Sequence, residues 1–362
     1  RPGPEWRVGD PCKPLPPDRG FDDFYGIPGG GSYFNPSPLL RGRDYVEPED
    51  DFYTTDAYSD RAVEMIERAV GDGKPFFLHV CYNAPHWPLH ARREDIERYR
   101  GRYRDGWDAL RTARHERLKA GGILSDRWAI SPRDEDAPPW PDVELKDWED
   151  SRMAVYAAQV DRMDAGIGRI VSALERLGVA EDTLVMFLSD NGGCAEFLRE
   201  NGRTEQELPT TRDGREVTVG NVPGLEPGGP DTFMSYDLPW ANASNAPFRR
   251  FKKWVHEGGI STPLIVTGPG AAAGAIVHRP AHVVDIVATI LDLCGAEYPG
   301  EFDGRSITPI EGESFAPLLA GKSWSRNQPI YFEHEGNRAV RDGRWKLVSE
   351  HRKGDWELYD MA

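Results

Sequence analysis

One stretch, Thr183-Leu-Val-Met-Phe-Leu-Ser-Asp-Asn-Gly-Gly193, constrains the fold more than any other. Its apolar and β-branched residues follow one another without alternation. That is the pattern of a strand buried on both faces, as in a parallel sheet covered by helices. The run stops at Ser189-Asp190-Asn191-Gly192-Gly193. Asp190 brings a carboxylate and Asn191 an amide oxygen, both hard ligands of the kind Ca²⁺ and Mg²⁺ take. Neighbours on a regular strand point to opposite faces, so both reach one ion only where the strand gives way to a turn. Gly192 and Gly193 permit that turn and the close approach of other backbone. Open α/β sheets place their ligands at the carboxyl ends of such strands. The same residues also build ordinary turns, so the stretch gains its meaning from the rest of the chain.

A chain of 362 residues can bury a sizeable core, as one large domain with an appendage or as two domains. Its composition, 39% hydrophobic and 29% charged, is that of a globular protein, and no apolar run approaches the ~20 residues needed to span a bilayer. A net charge of −16 argues against nucleic acid, whose phosphates need a basic stripe, and requires that cations be concentrated locally around any anionic substrate. Cys12, Cys81, Cys194 and Cys294 form no CxxC pair, so neither a zinc ribbon nor a redox motif is indicated. The chain opens on Arg1 and ends on Ala362 in a way that reads as cut from a longer one.

Residues 1–58, rich in Pro, Gly and Asp, read as extended surface chain, with Asp22-Asp23 in a loop. A helix capped by Ser59 and running to Val70 is expected, followed by a second buried strand, Pro75 to Cys81. Residues 92–150, highly charged and carrying Trp107, Trp128, Trp140 and Trp148, read as an excursion over the surface at the rim of a pocket. The apolar stripe of Tyr156, Val160, Met163, Ile167, Ile170, Leu174 and Leu177 predicts a helix from about Met153 to Leu177. Asp161 and Asp164 on that helix are read as solvated. The Gly- and Pro-rich segment 194–247 is long enough to be functional, and is expected at the same pocket rim. A buried strand at 263–267 and a helix at 283–293 follow, then short strands from about Asn327 that predict a small antiparallel sheet.

Three loops now carry complementary chemistry. Asn83 to Ala91 brings His86 and His90, the 189–193 turn brings Asp190 and Asn191, and 247–259 brings Arg249, Arg250, Lys252, Lys253 and His256. Acidic oxygen ligands beside a cationic segment suit a divalent ion holding a tetrahedral oxyanion, with Lys and His donors stabilising charge on the leaving oxygen. A sulfate or phosphate ester fits. Taken singly, each piece also has a plain structural explanation: a rigid Pro-flanked turn, a solvated charged face, a turn before a strand.

Ala84-Pro85-His86-x-Pro88, Ser189-Asp190-Asn191-Gly192 and Lys252-x-x-x-x-Glu257-Gly258-Gly259, in this order, resemble the sulfatase family of the alkaline-phosphatase-like fold. Arg19-Gly-Phe-Asp-x-Phe-Tyr-Gly26, Tyr156-Ala-Ala-Gln-Val-Asp-Arg-Met-Asp164 and Trp240-Ala-Asn-x-Ser-Asn245 agree with its bacterial arylsulfatase branch. The resemblance spans nearly the whole chain. It implies a largely parallel sheet flanked by helices over 1–325, lacking its N-terminal part, and an incomplete small antiparallel subdomain over 326–362. It also implies that Asp190 and Asn191 ligate a divalent metal, calcium by family habit with magnesium as the alternative. By the same resemblance His86 and Lys252 are expected to contact the sulfate ester, one of them assisting the leaving oxygen. Family habit further implies a periplasmic or extracellular location.

The departures are specific. The family's nucleophile is a formylglycine made within a C/S-x-P/A-x-R motif, and no such motif occurs here; Cys12-Lys13-Pro14-Leu15-Pro16 begins like it but lacks the Arg. The family's Asp-Asp metal pair is absent, and its Lys-Trp-His element falls at Glu5-Trp6-Arg7. The formylglycine is therefore expected upstream of this chain, and these residues alone are expected not to turn over a sulfated aryl ester. Two other functions compete: a catalytically inactive sulfate-ester-binding protein, favoured by Glu5 and Arg7, and a phosphoester hydrolase of the same fold. A sulfated saccharide is the favoured substrate, on the premise that the tryptophans of 92–150 stack on sugar faces.

Overall fold

The computed structural model describes residues 14–29, 31–202, 210–351 and 354–361. Glu5, Arg7 and Cys12 lie outside them. The chain folds as two compact units, one drawn from Arg1–Arg114, Arg133–Ala180 and Cys194–Ser244, the other from His115–Pro132, Glu181–Gly193 and Asn245–Ala362. Its class is mixed α/β with a C-terminal antiparallel sheet, as the sequence implies.

In the first unit the long helix Lys146–Arg176 packs along the helix Thr54–Gly71 and the short helix Arg93–Glu97. Both long helices begin earlier than their apolar stripes suggest. Thr54, not Ser59, opens the first; Ser59 lies inside it, fully buried, donating from Oγ to the Thr55 carbonyl at 2.8 Å. The second begins seven residues before Met153, because its first two turns bury polar side chains that find distant partners. Arg152 Nη2 lies 2.8 Å from Asp237 Oδ2, and Trp240 Nε1 donates to Glu149 Oε2 at 2.9 Å. Asp161, read as solvated, pairs with Arg98 at 2.9 Å. Asp23 pairs with Arg68 in the loop expected for it.

The reading of 92–150 as surface fails for two of its four tryptophans, Trp107 and Trp140. Trp107 and Trp140 are buried and meet each other and buried Trp240 edge-to-face or tilted, with ring centroids 4.8–6.0 Å apart. Such pairs add roughly 0.5–1.5 kcal/mol each beyond the area they bury. The indole N–H groups are satisfied, Trp107 by the Pro138 carbonyl and Trp140 by that of Arg104. Residues 194–247 likewise contribute core, since Phe233, Met234, Tyr236 and Trp240 are buried.

In the second unit Val185–Leu188 pairs antiparallel with Leu264–Thr267, Leu188 opposite Leu264 and Val185 opposite Thr267. Neither strand is buried on both faces: all four residues of the first are half-buried, and Ile265 is exposed. Pro75–Cys81, in the first unit, forms no strand and joins no ladder among the described residues, with Phe77 exposed. Unbroken apolar sequence reports apolar content; it does not fix strand direction or the number of neighbours. Parallel pairing among the described residues is confined to Thr218–Val219 with Thr232–Phe233 and the single bridge His90–Gly228.

The helix Val283–Cys294 and the C-terminal meander fall close to their expected places. The meander runs Ile330–His334, Asn337–Asp342, Trp345–Ser349, Trp356–Asp360, each strand pairing antiparallel with the next. It packs Ala339 and Val348 on Val255, with Phe332 and Tyr359 at the edge. The cationic 247–259 segment therefore lies against this sheet within one unit.

Candidate active site

The Val185–Leu188 strand ends two residues before Asp190. Asp190 is exposed and Asn191 half-buried. Ser189 Oγ donates to the Asn191 carbonyl at 2.9 Å, and Asn191 Nδ2 donates to the Gly192 carbonyl at 2.9 Å. Among the described residues the Asp190 carboxylate and Asn191 Oδ1 have no hydrogen-bond partner. A carboxylate and an amide oxygen left open at one turn are the donor set a hard divalent cation takes.

That turn is clamped by backbone from 245–259. Gly192 N–H donates to the Gly259 carbonyl at 3.0 Å, and Lys252 N–H to the Gly193 carbonyl at 3.0 Å. The approach is close enough to require glycine: a Cβ on Gly192 would sit 1.7 Å from the Gly258 carbonyl oxygen, and one on Gly258 2.1 Å from that of Arg250. Asn245 holds the three strands of chain together. Its Oδ1 accepts from Gly193 N–H at 2.8 Å, and its Nδ2 donates to the carbonyls of Gly258 (2.8 Å) and Arg250 (2.9 Å). The sequence shows Asn245 within the Trp240–Asn245 motif but gives no sign of this role.

Lys252 is half-buried between two residues in the left-handed region, Arg250 (φ 66°) and Lys253 (φ 90°). Such backbone costs about 1–2 kcal/mol per residue and persists only where surrounding bonds impose it. Asn245 on the Arg250 carbonyl and Asn337 Nδ2 on the Lys253 carbonyl (3.2 Å) impose it here. Arg249, Arg250 and His256 of the segment are drawn to the C-terminal sheet. Arg249 pairs with Glu357 at 2.8 Å, Arg250 with Glu350 at 2.6 Å, and buried His256 lies 3.5 Å from Glu357. Burial pushes the Glu357 carboxyl up, but hydrogen bonds from Tyr359 and Arg249 outweigh it and hold the group at about 2. Glu257 of the Glu-Gly-Gly motif receives buried Lys346, Nζ to Oε1 2.6 Å.

His86 belongs to the first unit, and its backbone is fixed before its ring. The His86 carbonyl accepts from Tyr33 Oη (2.8 Å) and Gln159 Nε2 (3.4 Å); Gln159, on the 146–176 helix, also reaches the Pro88 carbonyl at 3.3 Å. Burial pushes the Tyr33 phenol well above its usual range, so it stays a neutral donor. His86 Nδ1 lies 2.9 Å from the Trp87 carbonyl, which only accepts, so Nδ1 carries a proton. His90, on the same loop, is separated from this work. It is 1% exposed, with Nε2 on the Thr232 carbonyl at 2.6 Å, and burial lowers it to about 4, a neutral scaffold group. Close to His86 stand Cys194 and Glu196: one ligand atom from each of the three lies within 4.8 Å of the others. Sequence reading passes over this trio, because an isolated Cys and Glu carry no spacing signal.

Of the expected residues, Asp190, Asn191 and Lys252 are thus held by one hydrogen-bonded frame, and His86 is oriented by a second frame in the other unit. Residues 6–296 match the family model for sulfatases, and residues 248–362 match that for the C-terminal part of N-sulphoglucosamine sulphohydrolase. An uncharacterized sulfatase of Schizosaccharomyces pombe is 30% identical over 99% of this chain and 68% of its own length. The arylsulfatase of Klebsiella aerogenes is 31% identical over 90% of this chain and 71% of its own. The crystal structure of Ps i-CgsB in complex with k-i-k-neocarrahexaose aligns with a TM-score of 0.62 at 23% identity, covering 97% of this chain. This chain spans 62% of that solved chain's length.

Proposed function

Because the chain belongs to the sulfatase family, we propose that it serves metal-assisted hydrolysis of a sulfate ester. In this reading Asp190 and Asn191 hold a divalent cation, Ca²⁺ ahead of Mg²⁺, and the open oxygens at their turn are the observation that carries it. Bound there, the cation neutralises charge on the sulfate's non-bridging oxygens. Lys252, positioned by the strained 250–253 backbone, contacts the ester as a point charge. His86, whose Nδ1 is held against the Trp87 carbonyl, is the second group assigned to the ester, and one of the two protonates the leaving oxygen. The residues of this chain carry no C/S-x-P/A-x-R motif from which a formylglycine is made.

A sulfated saccharide remains the favoured substrate, supported by the name of the family model over 248–362. Stacking on Trp107 or Trp140 is not part of the account, since both are buried. No helix among the described residues is long and apolar enough to cross a membrane. The 326–362 sheet is proposed as the family's small subdomain, and a periplasmic or extracellular location follows family habit.

Sulfate release by the full-length protein, measured on aryl sulfates and sulfated saccharides in parallel, tests the reading. Turnover that requires Ca²⁺ and falls at least 100-fold in Lys252→Ala supports it. Turnover unchanged in Lys252→Ala and His86→Ala removes the assignment.

A further inference from the structure

We propose that His86, Cys194 and Glu196 form a site for a thiophilic divalent cation of the Zn²⁺ class, distinct from the oxygen site at Asp190 and Asn191. One ring nitrogen, one sulfur and one carboxylate oxygen lie within 4.8 Å of one another. Tetrahedral Zn²⁺, with ligand bonds of ~2.0 Å to N and O and ~2.3 Å to S, needs its ligands roughly 3.3–3.6 Å apart. Contraction on the order of 1 Å closes the set, and a fourth position stays open to water.

The surroundings are those of a ligating trio. His86 Nδ1 lies 2.9 Å from the Trp87 carbonyl, the kind of outer contact that orients metal-bound histidines. Trp87 also donates from Nε1 to Glu196 Oε2 at 2.9 Å, which orients the carboxylate. The Glu196 backbone is fixed by Ser235 Oγ on its carbonyl at 2.6 Å. Cys194 is buried at 8% exposure, its sulfur near the other two ligand atoms. Softness separates the two sites. A thiolate and an imidazole select Zn²⁺ over Ca²⁺, while a carboxylate with an amide oxygen selects the reverse.

Binding a cation here occupies the imidazole assigned to the ester, so Zn²⁺ inhibits hydrolysis. That consequence rests on the role proposed for His86; the binding does not, and its test contains no ester. The full chain is titrated with Co²⁺ and read by absorption, then back-titrated with Zn²⁺. One equivalent of Co²⁺ should give a near-ultraviolet thiolate-to-metal band that Zn²⁺ abolishes. Cys194→Ser should lose the band, and Glu196→Gln, which still accepts from Trp87, should bind at least tenfold more weakly. Asp190→Ala should retain it. So should Cys81→Ser, which removes the thiol 3.3 Å from His79 Nε2. No band in the wild-type chain, a band that persists in Cys194→Ser, or an unchanged affinity in Glu196→Gln overturns the proposal. Loss of the band in Cys81→Ser or Asp190→Ala overturns it equally.

Discussion

Asn245 holds Gly193 by a single hydrogen bond, Oδ1 to N–H at 2.8 Å, while its amide group ties down the carbonyls of Gly258 and Arg250. One side chain thereby joins the end of the 189–193 turn to the carbonyls on either side of Lys252. Truncation in Asn245→Ala leaves three backbone groups without that partner, a cost of about 3 kcal/mol at roughly 1 kcal/mol each. Urea unfolding should show that loss, and Ca²⁺ affinity of the full-length protein should fall 10- to 100-fold as the turn loosens. A variant as stable and as tight as wild type contradicts the clamp.

Gly192→Ala tests the same junction from the other side. Its Cβ would meet the Gly258 carbonyl oxygen at 1.7 Å, so one backbone segment must move. Overpacking of that severity costs about 3 kcal/mol and displaces Asn191. The expected result is lower stability and weakened Ca²⁺ binding together, the second measured by calorimetry at a temperature where the variant is folded.

Lys346 and Glu257 make a second, buried tie, with 2% of the lysine side chain exposed and Arg341 3.8 Å from the other carboxylate oxygen. Burial lowers the Lys346 pKa against the opposing pull of Glu257. Removing one partner of a buried pair leaves the other uncompensated, at a cost of about 3 kcal/mol. Lys346→Ala should therefore unfold at distinctly lower urea, whereas Lys346→Met with Glu257→Gln should recover most of the loss. Equal stability of Lys346→Ala and wild type would discount the pair.

His90 predicts an acid sensitivity. Its folded pKa of about 4 lies below the unfolded value of 6.5, so between these limits the unfolded chain binds the proton that the folded chain refuses. Stability is whole above pH 6.5 and declines as pH falls toward 4. At pH 5 the loss is about 2 kcal/mol. Urea midpoints at pH 7 and pH 5 for wild type and His90→Gln measure it. The wild type should lose about 2 kcal/mol more than the variant over that interval.

The parts legible in the sequence are those whose signal is local. Alternation and turn residues locate the C-terminal hairpins, and the apolar stripe locates the body of the 146–176 helix. What stayed hidden depends on partners far along the chain. The first turns of that helix look polar until Arg152 is seen against Asp237, and Glu149 against Trp240. Trp107 and Trp140 look like surface aromatics until they are seen against Trp240. Arg249 and Arg250 look like substrate ligands until Glu357 and Glu350 are seen to neutralise them. Asn245 is informative only through the three backbone groups it holds.

The measurement closest to the central claim is calorimetric titration of Ca²⁺ into the full-length protein, wild type and Asp190→Ala, with sulfate-ester turnover followed on the same samples. The account predicts a single Ca²⁺ site in the wild type, at least 100-fold weaker binding in the variant, and turnover lost in parallel. Wild-type affinity and wild-type turnover in Asp190→Ala would contradict it.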